Sequence, residues 1–150
     1  MRVILQRVSK AAVYIEDRII SEINTGLLIF LGIAIEDTKE DSLWLANKIT
    51  NLRIFSDKDG KMNNSILDID GEIIVVSQFT LHAKTKKGNR PSYINAARPE
   101  QAISLYEQFK KDLSVLTFKE VLSGEFAGDM KVSLENNGPV TIIIDTKHKE

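Results

Sequence analysis

Cysteine is absent from the 150 residues, which excludes disulfides, thiolate catalysis and sulfur-ligated zinc or iron–sulfur centres. Histidine is scarce as well: His82 and His148 alone cannot build a histidine-rich metal site, so neither metal nor cofactor is expected. Long apolar runs are missing. No segment approaches the roughly 20 apolar residues of a membrane span, and Met1-Arg2-Val3-Ile4-Leu5-Gln6-Arg7 meets charge too early for a secretory signal. A cytoplasmic protein without membrane contact is the expectation. A surplus of one charge sign is lacking too. With a formal net charge of -1, the chain as a whole is not marked as a nucleic-acid binder, and any RNA contact has to be local.

What is present suits one globular domain spanning residues 1–150, with 43% hydrophobic and 27% charged residues and no repeat or linker to divide it. Valine and isoleucine crowd the stretch from Arg2 to Ile23, and polar interruptions at Ser9-Lys10 and Glu16-Asp17-Arg18 predict two or three strands joined by hairpin turns. Gly26-Leu27-Leu28-Ile29-Phe30-Leu31-Gly32-Ile33 is apolar throughout, as a strand covered on both faces must be, and belongs mid-sheet. Asp37-Thr38 can cap a helix whose stripe is Leu45, Ile49 and Leu52, with Trp44 filling core beside it rather than stacking on a base. Ser56-Asp57-Lys58-Asp59-Gly60 reads as a turn, since calcium binding needs further oxygen ligands at set spacing. Glu72 to Leu81 reads as a strand. Pro99 opens a second helix carrying Ala102, Leu105, Phe109 and Leu113. Strands return with Met130, Val132 and Leu134, and again from Val140 to Asp145 after an Asn-Asn-Gly-Pro turn, and Lys147-His148-Lys149-Glu150 is expected to fray.

Three segments carry candidate chemistry. The first, Ser77-Gln78-Phe79-Thr80-Leu81, turns polar at the end of an apolar strand. Thr80 could serve as a nucleophile with His82 as its base, two residues on along one strand face, although no third group is identified to orient the base. The alternative needs no side-chain nucleophile: main-chain N–H groups at a strand end can stabilise the oxyanion of an ester attacked by water. The second segment is Asn136-Asn137-Gly138-Pro139. Asn-Gly ordinarily makes a tight hairpin turn closed by the N–H of its fourth residue, which Pro139 lacks. Either this is a plain surface turn, or its carbonyls stay free for a ligand. The third is Lys84-Thr85-Lys86-Lys87-Gly88-Asn89-Arg90-Pro91, where Lys84, Lys86, Lys87 and Arg90 either face water or meet phosphates.

Taken together, Ser77-Gln78-Phe79-Thr80-Leu81 and Asn137-Gly138-Pro139-Val140-Thr141 resemble the two signature motifs of the D-aminoacyl-tRNA deacylase (D-tyrosyl-tRNA deacylase) family. The resemblance runs the length of the chain, through Met1-Arg2-Val3, Gln6-Arg7-Val8 and Gly88-Asn89-Arg90-Pro91-Ser92. It implies an α+β fold, a strongly curved, barrel-like antiparallel sheet with two main helices, assembled as a homodimer with active sites at the subunit interface. It implies hydrolysis of the ester linking a D-amino acid, or glycine mischarged on alanine tRNA, to the 3′ end of tRNA. Ser77, Gln78, Phe79 and Thr80 would form the catalytic segment, with water as nucleophile, the Phe79 and Thr80 amides as oxyanion donors and the terminal ribose hydroxyl taking part. Asn137 and a cis Gly138-Pro139 unit from the partner would bind the substrate amino group and exclude L side chains, with Arg7 fixing that loop. One departure is Phe126-Ala127-Gly128-Asp129-Met130, where many relatives read Phe-Gly-Ala. Two rival classes stand beside this: a non-catalytic RNA-binding barrel that uses the basic loop, and a purely structural dimerisation module.

Overall fold

The computed structural model describes residues 1–149. Within them eight strands, two helices and one 3-10 turn are arranged in the order β1 (Arg2–Ile15), β2 (Arg18–Ile23), β3 (Gly26–Gly32), α1 (Lys39–Asn51), β4 (Phe55–Ser56), β5 (Met62–Asn64), β6 (Glu72–Ser77), the 3-10 turn Phe79–His82, α2 (Pro99–Thr117), β7 (Leu122–Ser123) and β8 (Lys131–Asp145). Strand β1 is the organiser. One of its edges pairs with β8 along residues 2–14, and the other takes β3 along residues 2–8 and β2 along residues 11–15. The sheet continues from β3 to β6 and β7, and these last two pairings are parallel. The expected all-antiparallel sheet is therefore corrected to a mixed one. The cause is α1 and the β4–β5 hairpin, which lie between β3 and β6 and return the chain to the end where β3 began. Ser21 Oγ on β2 donates to the Ser123 carbonyl on β7, so the two ends of the strand order meet and the sheet is nearly closed and barrel-like.

Alternation sorts the strand side chains into two apolar clusters. Leu27, Ile29, Leu31, Ile73 and Val75 face the helices and pack with Leu45, Ile49, Leu105, Phe109 and Leu113. Leu28, Ile74 and Val76 face the other way and meet Val8, Ala11, Val13 and Ile23. Burial on both faces explains why Gly26 to Gly32 reads as an unbroken apolar run. Gly26 has its own reason: a Cβ there would lie 1.9 Å from the Glu72 carbonyl oxygen, across the parallel pair.

Several sequence expectations change at this level. Ser9-Lys10 makes no hairpin turn, because Lys10 pairs with Glu135 inside an unbroken β1. The reversal lies at Glu16-Asp17, both at positive φ. Asp37 does not cap α1. Thr38 is the N-cap, its N–H bonded to the Asp41 carboxylate, while Asp37 takes the buried α-ammonium of Met1, which also donates to Thr146. The expected frayed tail is tethered at Lys147, whose ammonium reaches Asp41 at 2.7 Å; Glu150 lies outside the described residues. Burial alone would raise the Asp41 carboxyl, yet the hydrogen bonds from Lys147 and the Thr38 N–H hold it down to about 2.

Both members of the Met1–Asp37 pair are fully buried, so removing one strands the other charge out of water. Asp37→Ala should therefore cost about 3–5 kcal/mol of unfolding free energy in urea denaturation; a loss below about 1 kcal/mol would show that the pair is screened, as surface pairs are.

Candidate active site

The apolar strand β6 ends at Ser77, and the chain beyond it does not stay extended as the sequence suggests. Phe79 to His82 forms a single 3-10 turn, entered through Gln78, whose N–H still bonds the Leu31 carbonyl at 2.8 Å. At three residues per turn, positions 80 and 82 do not share a face, so the geometry assumed for a Thr80–His82 pair is absent. Thr80 Oγ1 instead accepts from Gln78 Nε2 at 2.6 Å, and His82 Nε2 is buried with no hydrogen-bond partner among the described residues. The turn leaves its first N–H groups without intrahelical acceptors. Among the described residues, neither the Phe79 nor the Thr80 N–H donates to another backbone group, whereas Leu81 and Ala83 donate back to Gln78 and Thr80. Arg2 secures the far side, donating to the Leu81 carbonyl at 2.7 Å while paired with Asp145.

The Asn136-to-Pro139 segment also departs from expectation. It does not reverse the chain: β8 runs straight through it, and both flanks pair with β1, Thr141 opposite Gln6 and Asn136 opposite Val8. Residues 137–140 thus bulge out opposite Arg7 alone. A proline fits because the bulge needs no ladder donor at that position. The Gly138–Pro139 peptide is cis, and Asn137, Gly138 and Pro139 are all exposed. Asn136 closes the bulge through its side chain, accepting the Val140 N–H at 3.0 Å and donating to Thr141. Arg7 lies beneath it, with Nε donating to the Asn137 carbonyl at 2.8 Å and Nη1 to the Ile54 carbonyl at 2.6 Å. Gly138 is at φ 135°, and a Cβ there would stand 2.7 Å from Arg7 Nη2.

The two segments do not meet within one chain. Ser77 is level with Leu31 and Val3, four residues along β1 from Arg7, and three strand spacings separate β6 from β8. That places them roughly 13 Å apart along the strands and roughly 14 Å across them. A cleft of about 640 Å³ opens beside Ser77, Gln78 and Phe79, walled by Tyr93, by Arg98 and Ala102 at the start of α2, and by Phe126 to Met130; Gly138 and Pro139 take no part in it. Arg98 and Asp129 are its two charged residues. Phe79 is 56% exposed and meets the Tyr93 ring edge to face. The basic loop leaves from the same end: Lys84 and Ser92 bridge its base, and Lys84, Lys86, Lys87 and Arg90 are exposed and in no ion pair among the described residues.

Residues 4–145 match the family model described as D-Tyr-tRNA(Tyr) deacylase. The chain belongs to this family. A D-aminoacyl-tRNA deacylase of Bacteroides fragilis (strain YCH46) is 61% identical over 150 residues, covering 100% of both chains, and one of Akkermansia muciniphila is 59% identical over the same span. Among solved structures, a c-Myc DNA unwinding element binding protein superposes with a TM-score of 0.91 at 38% identity, covering 97% of this chain and 98% of its own. Membership makes the protein a hydrolase of the D-aminoacyl-tRNA deacylase type. Among the described residues no helix is long and apolar enough to cross a membrane.

Sequence reasoning had no signal for Arg2 at the Leu81 carbonyl or for the Ile54 carbonyl beneath Arg7, since both pairings span distant segments. The Phe126-to-Met130 departure was visible, and its consequence is local: Ala127 sits at φ 58°, the left-handed region. An L-residue there costs roughly 1–2 kcal/mol, and glycine gives back part of that through its freer unfolded chain. Ala127→Gly should accordingly raise stability by about 0.5–1 kcal/mol, read as a higher melting temperature; a lower one would show that the Ala127 methyl contributes packing.

Proposed function

We propose that the protein hydrolyses the ester between a D-amino acid and the 3′ end of tRNA, as a homodimer in which each copy completes the other's site. The observation that carries this reading is the pair of main-chain donors at Phe79 and Thr80 that bond no backbone acceptor, with Phe79 lining the cleft and Thr80 next to it in the chain. Water attacks the ester carbonyl, and the negative charge that develops on its oxygen is met by these two N–H groups. The carbonyl then re-forms as the ribose oxygen leaves with a proton, the neighbouring ribose hydroxyl being positioned to take part. Ser77 and Gln78 hold the turn in register, and Gln78 ties up the Thr80 hydroxyl, which leaves it a supporting role.

Handedness is assigned to Asn137, Gly138 and Pro139 of the second copy, because one chain keeps its own bulge far from its own cleft. Exposed carbonyls on that bulge would hold the substrate's α-ammonium and leave no space where an L side chain would project. Glycine presents nothing to exclude, so glycyl-tRNA mischarged on alanine tRNA is a second substrate. Lys84, Lys86, Lys87 and Arg90 are exposed on the loop between the 3-10 turn and Tyr93, which lines the cleft, and suit the phosphates of the acceptor end. Work on a tRNA ester assigns the protein to the cytoplasm. The solved neighbour described as a DNA unwinding element binding protein motivates a second reading, nucleic-acid binding without hydrolysis.

Incubation with D-tyrosyl-tRNA and L-tyrosyl-tRNA separates these readings. Release from the D-ester alone is expected; equal rates or no release would remove the proposal. Thr80→Ala should keep its rate within about tenfold of the parent if main-chain donors carry the charge, whereas a drop beyond about a thousandfold in a folded variant would make Thr80 the nucleophile. Changing Lys84, Lys86, Lys87 and Arg90 together to alanine should flatten the dependence of tRNA affinity on salt by about 0.7–0.9 log units per lost phosphate contact. An unchanged slope would place the RNA elsewhere.

A further inference from the structure

The Arg7 guanidinium has no carboxylate partner among the described residues and is placed by two carbonyls, those of Asn137 and Ile54. A carbonyl can aim a guanidinium only if its own backbone is held, and Ile54 lies in the short link between α1 and β4. The next links are visible. Ile54 N–H bonds the Leu52 carbonyl, and the Ile54 side chain is buried in the core. Arg53, the residue before it, is gripped in a fork: Nε donates to the Asn63 carbonyl and Nη2 to Asn63 Oδ1, both at 2.8 Å. Asn63 Nδ2 donates in turn to Asp57 at 2.7 Å. Asp57 also accepts the N–H groups of Asp59 and Lys61, so it organises the tip of the β4–β5 hairpin around one carboxylate. The segment read from sequence as a plain turn therefore ends a path of hydrogen bonds from Asp57 through Asn63 to Arg53, of covalent backbone from Arg53 to Ile54, and of hydrogen bonds again from the Ile54 carbonyl through Arg7 to the Asn137 carbonyl.

We propose that Arg53 and Asn63 are positioning residues for chiral selection: their forked pair holds the Ile54 carbonyl as the seat of Arg7, and through Arg7 sets the Gly138–Pro139 bulge. The assignment rests on the reading of that bulge as the selector of handedness. Neither residue touches substrate. A planar fork against one side chain and its own carbonyl fixes orientation as well as distance, which a single ammonium does not. Loosening it leaves the bulge in place and lets Arg7 wander, so the effect falls on discrimination and turnover before it falls on folding.

Arg53→Met and Asn63→Ala break the same fork from opposite sides, and Arg53→Lys keeps the charge while losing the fork. In each, kcat/KM for D-tyrosyl-tRNA should fall about tenfold, mainly in kcat, and the D-to-L rate ratio should narrow. In an Arg7→Lys background the same changes should add less than about twofold, since residues acting through one group are not additive. Full additivity, or a parent-like Arg53→Lys, would overturn the proposal. A readout free of activity accompanies these: the Arg7 Nε–H resonance should exchange slowly with solvent in the parent and quickly in Arg53→Met and Asn63→Ala. Unaltered exchange in both variants overturns the proposal as well. If the parent releases no D-tyrosine while the Arg7 signal responds as expected, the functional reading fails and the positioning of Arg7 stands.

Discussion

Backbone pairing along β1 is the constraint on which the rest depends. Fourteen consecutive residues offer N–H and C=O groups on two edges, and each edge is answered, by β8 on one side and by β3 and β2 on the other. Because buried peptide groups must find partners, this strand decides which distant segments become neighbours. It brings Asp145 to Arg2, Thr141 to Gln6 and the residue 137–140 bulge to Arg7. It also sets the level of β3, and hence of Ser77 at the end of β6. The closing of the barrel, the position of the cleft and the distance between the two signature segments are all set by its register.

Where regular pairing lapses, arginine takes over. The 3-10 turn after β6 leaves the Leu81 carbonyl to Arg2, the bulge in β8 and the link after α1 leave the Asn137 and Ile54 carbonyls to Arg7, and Arg53 ties that link to the Asn63 carbonyl on β5. A guanidinium carries five N–H groups in a rigid plane, so one side chain can bind two carbonyls or fork onto one residue. Two of these irregular segments, the turn and the bulge, are the ones to which the proposed function assigns the chemistry. A turn with two N–H groups free of backbone partners and a bulge with Asn137, Gly138 and Pro139 exposed are both held from behind, by Arg2 and by Arg7.

Elements whose side-chain period matches their burial were legible in the sequence. The buried strand from Gly26, the stripe of α2 behind Pro99 and the α1 stripe at Leu45 and Ile49 appear where the pattern places them, while Leu52 falls just past the end of α1 as its extended C-cap. Misreadings cluster where local residues permit two answers. Ser9-Lys10 has turn-forming residues, yet a long partner strand holds the segment extended. Phe79-Thr80-Leu81 has strand-forming residues, yet the β3–β6 pairing stops at Leu31–Ser77 and β3 itself ends at Gly32, so it coils. Asn137-Gly138-Pro139 has turn residues in an order that cannot close a hairpin, which was visible; that β8 continues on the same partner was not. Parallel pairing of β3 with β6 left no local mark, because strands covered on both faces look alike in either direction.

The sequence by itself determined the class of chemistry and singled out the two candidate segments. With no cysteine and two histidines it excluded thiolate and histidine-rich metal centres, and it placed a polar strand end and an unclosable Asn-Gly-Pro at defined positions, the pair that carries the resemblance to the family. Those are properties of residue types and spacing. Only the tertiary structure decided that the strand end is a turn with free donors, that the second segment is a bulge over Arg7, and that the two lie apart in one chain. The reason is physical: each depends on hydrogen bonds between residues scores of positions apart, and such bonds are set by which strands pair rather than by any local preference.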